Sequence, residues 1–190
     1  TRDRGKTGES QLGNLIADAQ LAATAGPENS GAQIAFMNPD GIRAEVAPDK
    51  DGQVTFGSVF AAQPFGNTLI TKTLTGKQIL DVLEQQLNNP DWYRILSPST
   101  GFRFGYDLSR PIGQRVVFAT LNGVALDKDA AYRVTVSDFL SNGGDGFSVF
   151  NDGTNAAVGP TDLEAFMAWL SHGGVTALPT LDRVENQTPQ

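Results

Sequence analysis

Asn122-Gly123 stands between two apolar runs, Val116 to Leu121 and Val124-Ala125-Leu126, and this dipeptide accepts the positive φ that a two-residue β-hairpin turn demands. An antiparallel pairing is therefore written into the middle of the chain. Phe102, Phe104 and Tyr106 alternate with polar or small residues before it, and Tyr132, Val134 and Val136 repeat the period-two pattern after it. Gln33 to Met37 reads as a short buried strand ending at the Asn38-Pro39-Asp40-Gly41 turn, and Thr68 to Leu74 as another strand. Helices interrupt this pattern. Leu12, Leu15, Ile16 and Ala19 recur at helical spacing, predicting a helix from about Ser10 to Ala25 that Gly26-Pro27 stops. Capping boxes at Thr75-Gly76-Lys77-Gln78 and Thr161-Asp162-Leu163-Glu164 open two more. The first lays Ile79, Leu80, Leu83 and Leu87 on one face, the second Leu163, Phe166, Met167 and Leu170. Helices and strands mix without a strict βαβ repeat, so the expected class is α+β, a mixed sheet with packed helices.

A chain of 190 residues, 39% of them hydrophobic, is sized for one domain with a substantial core. We therefore expect a single unit over 1–190, with 182–190 as a polar tail that frays. The net charge of −7, without a Lys/Arg run, argues against nonspecific binding to a nucleic acid duplex or an anionic membrane. No stretch approaches the roughly 20 apolar residues of a membrane span. There is no cysteine, hence no disulfide and no thiolate metal ligand. The single histidine, His172, falls at the end of the last predicted helix, where a cation suits the helix C-terminus, and alone it is a poor basis for a metal centre that activates water.

Three loops carry the groups of interest. In Asn38-Pro39-Asp40-Gly41-Ile42-Arg43, the asparagine can donate and accept toward a base or sugar, and the arginine fork suits a phosphate. The plainer reading is a turn with a solvated arginine. In Gln63-Pro64-Phe65-Gly66-Asn67-Thr68, Phe65 is held between Pro and Gly as a stacking platform or a core residue. From Phe139 to Phe147, the Asn142-Gly143-Gly144-Asp145-Gly146 run permits positive φ, and Asp145 can accept from a diol; a calcium-like or purely structural turn is the alternative.

Together with Leu12-Gly13-Asn14-Leu15-Ile16-Ala17-Asp18-Ala19, these segments occur in the order found in the C-terminal domain of the 5′-nucleotidase family, which the chain resembles over most of its length. The resemblance implies that domain's fold and a nucleobase sandwiched by Phe65 and Phe139. It further implies Arg43 on the phosphate, Asn38 on the base or ribose, and Asp145 on the ribose hydroxyls. Gly41 and Asn142 lie inside the matching motifs, and Lys6, with Arg4, is the candidate cation upstream of the Gly-Asn-Leu helix. One departure is plain, for Pro39 and Asp40 stand where the family has glycines, and Asp40 adds a negative charge beside the expected phosphate.

The resemblance also implies that catalysis resides elsewhere. Two divalent metal ions and the catalytic residues belong to an N-terminal metallophosphatase domain of the same polypeptide, which 1–9 would join as a linker, and rotation between the domains would carry substrate to the metals. This chain is expected to hold no metal and no catalytic residue, to bind a nucleotide or nucleoside, and to hydrolyse nothing by itself. The implied location is secreted, periplasmic or cell-surface. A stand-alone module for nucleotides or other aromatic ligands is the alternative, and a structural domain with Phe65 and Phe139 in its core is a third reading.

Overall fold

In chain order the secondary structure is α1 (Gln11–Thr24), β1 (Ile34–Met37), α2 (Phe56–Ala62), β2 (Thr68–Thr75), α3 (Gly76–Gln85), β3 (Ser97–Pro98), β4 (Phe102–Tyr106), β5 (Val116–Leu121), β6 (Val124–Ala125), β7 (Ala131–Ser137), α4 (Asp138–Ser141), β8 (Thr154–Thr161), α5 (Asp162–Ser171) and β9 (Val184–Asn186). These come from a computed structural model that describes residues 1–89, 93–173 and 177–189. The expected α+β class holds, with two mixed sheets. A five-stranded sheet has the order β3-β1-β7-β2-β8 and a four-stranded sheet the order β6-β5-β4-β9. In the first, β1 runs parallel to β7 and the other pairings are antiparallel; in the second, only β4 and β9 are parallel.

Local chemistry explains the helix starts. Ser10 caps α1 by accepting from the Gly13 amide at 3.0 Å. Both capping boxes form reciprocally, Thr75 with Gln78 and Thr161 with Glu164. The apolar faces then sort into two cores. One is built from β1, β7, β4 and α3, with Phe36 and Phe102 in edge-to-face contact at 5.2 Å. The other gathers Leu12, Leu15 and Ile16 of α1, Val59 of α2 and Phe166 of α5 around Met37 and Ile42. Between them a chain of buried hydroxyls, Thr24–Thr135–Thr71, joins α1 to β7 and β2 at 2.8 and 2.7 Å.

The C-terminal stretch departs from expectation. Rather than fraying, it contributes β9: Val184 is buried, β9 pairs with β4, and the Gln187 amide continues the pairing to the Tyr106 carbonyl at 2.8 Å. The reason is a carboxylate. Glu9, fully buried, accepts from the Arg183 amide at 3.1 Å and the Val184 amide at 3.4 Å through its two oxygens, and from Asn14 Nδ2 at 2.6 Å. Arg183 in turn grips Asp18 with two hydrogen bonds of 2.8 Å.

Tyr106 supplies a pH-dependent fastening. Its hydroxyl donates to the Thr7 carbonyl at 3.0 Å, and burial, aided by the charge of Tyr93, pushes its pKa from 10.0 up to about 12. A raised folded-state value contributes stability below pH 10 that is lost as the pH climbs toward 12. Tyr106→Phe is expected to cost about 1 kcal/mol at neutral pH and to flatten the loss of stability above pH 10. Urea denaturation at pH 8 and pH 11 checks this, and an unchanged alkaline slope in the variant would contradict it.

Candidate functional site

The strand directions bring the three loops to one edge. Because β1 parallels β7 and β7 opposes β2 with Leu69 level with Ser137, the C-terminal ends of β1 and β7 and the N-terminal end of β2 coincide. Residues 38–43, 65–67 and 138–147 therefore meet there. Asn38, Asp40, Gly41, Arg43, Phe65, Asn67, Phe139 and Asp145 line a common cleft of about 300 Å³.

Phe65 and Phe139 are not core residues: they are 56% and 47% exposed, while most other phenylalanines of the chain are buried. Exposed rings lining one cleft form an aromatic platform rather than a stray surface patch. Phe139 sits in the first turn of α4, which Ser137 caps by accepting from the Leu140 amide at 3.3 Å. Its ring lies against Gly144, where an added Cβ would come within 2.5 Å of a ring carbon. The glycine thus makes room for the aromatic side chain. Arg43 places its guanidinium carbon 5.9 Å from the Phe65 ring centroid, a cation–π arrangement. Its own amide is anchored to the Ala62 carbonyl at 2.8 Å.

Asn38 and Asp145 form the polar floor. Asn38 is buried, and its Nδ2 donates to Asp145 Oδ2 at 2.7 Å. Asp145 takes the left-handed conformation, φ 56°, which turns its carboxylate inward. A Cβ at Gly41 would stand 2.7 Å from Met37 Cε and 2.8 Å from Asn38 Oδ1, so a larger residue there would make these side chains shift. Asn67 donates to Asp162 Oδ2 at 3.2 Å, linking the cleft to the start of α5. Burial raises the pKa of Asp162, opposed by its bonds to Asn67 and the Leu163 amide.

Next to the cleft lies a second, polar basin of about 490 Å³ lined by Arg2, Asp3, Arg4, Pro39, Asp40, Ile42 and Arg43. Two of the residues singled out from the sequence stand apart from both concavities. Lys6 is exposed and lines neither, and Asn142 turns back to the Asp138 carbonyl at 2.8 Å. His172 is exposed at the end of α5, with Nδ1 2.7 Å from the Ala168 carbonyl.

Sequence reasoning missed Arg94, whose Nε donates to Asp40 Oδ2 at 2.9 Å and lies 3.8 Å from Asp145 Oδ1. No local pattern surrounds it. Lys72 was missed as well. It donates to the Ser141 and Phe150 carbonyls at 2.9 and 3.0 Å, securing the turn behind Phe139, and burial lowers its pKa against the opposing pull of Asp152. Among the described residues no grouping of three or more His, Cys, Asp or Glu could hold a metal ion.

With this geometry in view, comparison with known proteins is decisive. A family model for the 5′-nucleotidase, C-terminal domain, matches residues 1–152. The chain belongs to that family. This 5′-nucleotidase C-terminal domain is 39% identical over 188 residues to the trifunctional nucleotide phosphoesterase protein YfkN of Bacillus subtilis, covering 95% of the chain and 12% of that protein. It is 33% identical over 171 residues to the cell wall protein Lmo0130 of Listeria monocytogenes, covering 85% of the chain and 21% of that protein. Among solved structures it resembles a 5′-nucleotidase precursor from Thermus thermophilus, at 38% identity and a TM-score of 0.84, over 98% of the chain and 37% of that chain. The domain therefore spans a minor part of each of these relatives.

Proposed function

We propose that this chain is the nucleotide-recognition domain of a metal-dependent 5′-nucleotidase that hydrolyses nucleotide phosphate esters or anhydrides. The observation that carries the reading is the cleft itself, two half-exposed phenylalanines above a polar floor of Asn38 and Asp145, with an arginine at one side. A flat heterocycle between the rings gains about 1–3 kcal/mol per stacked face. Asp145 keeps lone pairs for ribose hydroxyls, Asn38 has its carbonyl oxygen left for a donor, and Arg43, which borders both the cleft and the basin, can meet a phosphate while resting on Phe65.

The two divalent metals of the proposed enzyme are assigned to an N-terminal metallophosphatase domain of the same polypeptide, a reading supported by the chain's covering only 37% of the Thermus thermophilus nucleotidase precursor. When bound there they supply an activated water; this chain's part is to hold and present the nucleotide. The similarity to a cell wall protein and to a nucleotidase precursor supports a secreted, periplasmic or cell-surface location.

Calorimetric titration of the chain with adenosine and AMP tests the binding half. A Kd between about 0.1 and 1 mM is expected, which corresponds to roughly 4–5.5 kcal/mol. An isolated, correctly folded chain that takes up neither ligand at several millimolar would refute it.

A further inference from the structure

Asp40 stands on the wall shared by the aromatic cleft and the arginine-lined basin. Its Oδ1 accepts from Arg4 Nη2 at 3.1 Å and its Oδ2 from Arg94 Nε at 2.9 Å. With Asp145 on the far side of Arg94, charges alternate along the wall as Arg4, Asp40, Arg94, Asp145. Arg2 and Arg43 instead direct their guanidinium groups to main-chain oxygens, Arg2 to those of Ile42 and Arg43, and Arg43 to that of Asp40. Among the described residues, two cations of the site are thus occupied by a carboxylate, and two place their guanidinium groups on neutral acceptors.

We propose that Asp40 is a specificity-determining residue, a built-in anion that competes with ligand phosphates for Arg4 and Arg94 and so limits how strongly the site favours ligands of higher negative charge. The inference rests on the nucleotide reading of the cleft. A first phosphate can meet Arg43 without breaking an ion pair. Each further phosphate shares the basin with the Asp40 carboxylate and must draw Arg4 away from it. The Arg4–Asp40 pair is solvent-facing, with side chains 41% and 26% exposed, so it yields readily. The repulsion from Asp40 does not yield, and it grows with every charge added. In a chain of net charge −7, this local balance decides whether an anion is tolerated.

The test compares the parent chain with Asp40→Asn, titrated with adenosine, AMP, ADP and inorganic pyrophosphate at low ionic strength, the fold being verified by circular dichroism. The ratio of ADP to adenosine affinity is expected to rise about tenfold in the variant, with pyrophosphate tightening by about as much, and both gains should shrink in 0.5 M salt. A ratio and a pyrophosphate affinity both within twofold of the parent overturn the assignment. Pyrophosphate separates this inference from the reading beneath it. If the parent takes no adenosine but Asp40→Asn still tightens pyrophosphate, the Asp40 assignment stands and the base cleft fails; adenosine binding with no pyrophosphate response gives the reverse. Should Asp40→Asn not fold, Arg4→Gln carries the test with opposite sign, since it leaves Asp40 less compensated. Pyrophosphate affinity is then expected to fall about fivefold, and no change overturns the proposal.

Discussion

Replacing Phe139 with alanine is expected to reduce adenosine affinity about fivefold to 150-fold, the 1–3 kcal/mol of one stacked face, while leaving the fold intact. The two effects separate because the ring is 47% exposed and packs on the turn at Gly144 rather than into either core. The turn itself is secured from behind by Lys72 and by the Ser137 cap, neither of which the substitution touches. Phe65→Ala should weaken adenosine similarly and AMP more, because Arg43 loses the ring beneath its guanidinium. That cation–π contact is worth about 0.5–1 kcal/mol, and its loss would fall on the phosphate. Paired titrations of adenosine and AMP against both variants read the difference. Affinities within twofold of the parent in either alanine variant would remove that ring from the site.

The largest effect on stability is expected at Glu9. Glu9→Ala should destabilise the chain by about 3 kcal/mol or more, since it removes the acceptor of the Arg183 and Val184 amides and one of two acceptors of Asn14 Nδ2, which keeps the Thr180 carbonyl at 3.2 Å. It also opens a cavity where the side chain was fully enclosed. Glu9→Gln keeps the volume and one acceptor oxygen but turns donors toward donors, so an intermediate loss is expected. Urea denaturation gives the free energies, and hydrogen exchange at the Val184 and Glu185 amides shows whether β9 releases first. A loss below 1 kcal/mol in Glu9→Ala would mean that the strand holds by its pairing with β4 alone.

The contrast between these sites explains what could be read from residues in order. Helices α3 and α5 were visible because a capping box is a contract between residues three apart, and β5–β6 because Asn122-Gly123 fixes its turn locally. Strand β8 was not visible. It is an edge strand containing Gly159 and Pro160, with no buried residue, and its irregular register with β2 holds it rather than any alternation of its own. Strand β9 depends on a single buried valine and on Glu9, nearly a chain length away.

The candidate site divides the same way. Asn38, Arg43, Phe65 and Asp145 stand in motifs whose turn chemistry already suggested display at a loop, and the strand order brings them to one cleft. Asn142 sits in the same glycine-rich run, yet its amide is taken by the helix it follows. Whether a polar side chain in a turn faces a ligand or its own backbone depends on one rotamer, which spacing does not specify. Arg94 gave no signal because its contacts with Asp40 and Asp145 join residues distant in the chain.

In the proposed nucleotide reading, the half-bare rings of Phe65 and Phe139 also set the timing. A base seated between them would keep part of its rim in water, since both rings are about half exposed. With a Kd near 0.1 mM and a capture rate of roughly 10⁷ M⁻¹ s⁻¹, it would depart in about a millisecond. Exchange at that pace lets a recognition unit hand over its cargo and reload without becoming the slow step of turnover.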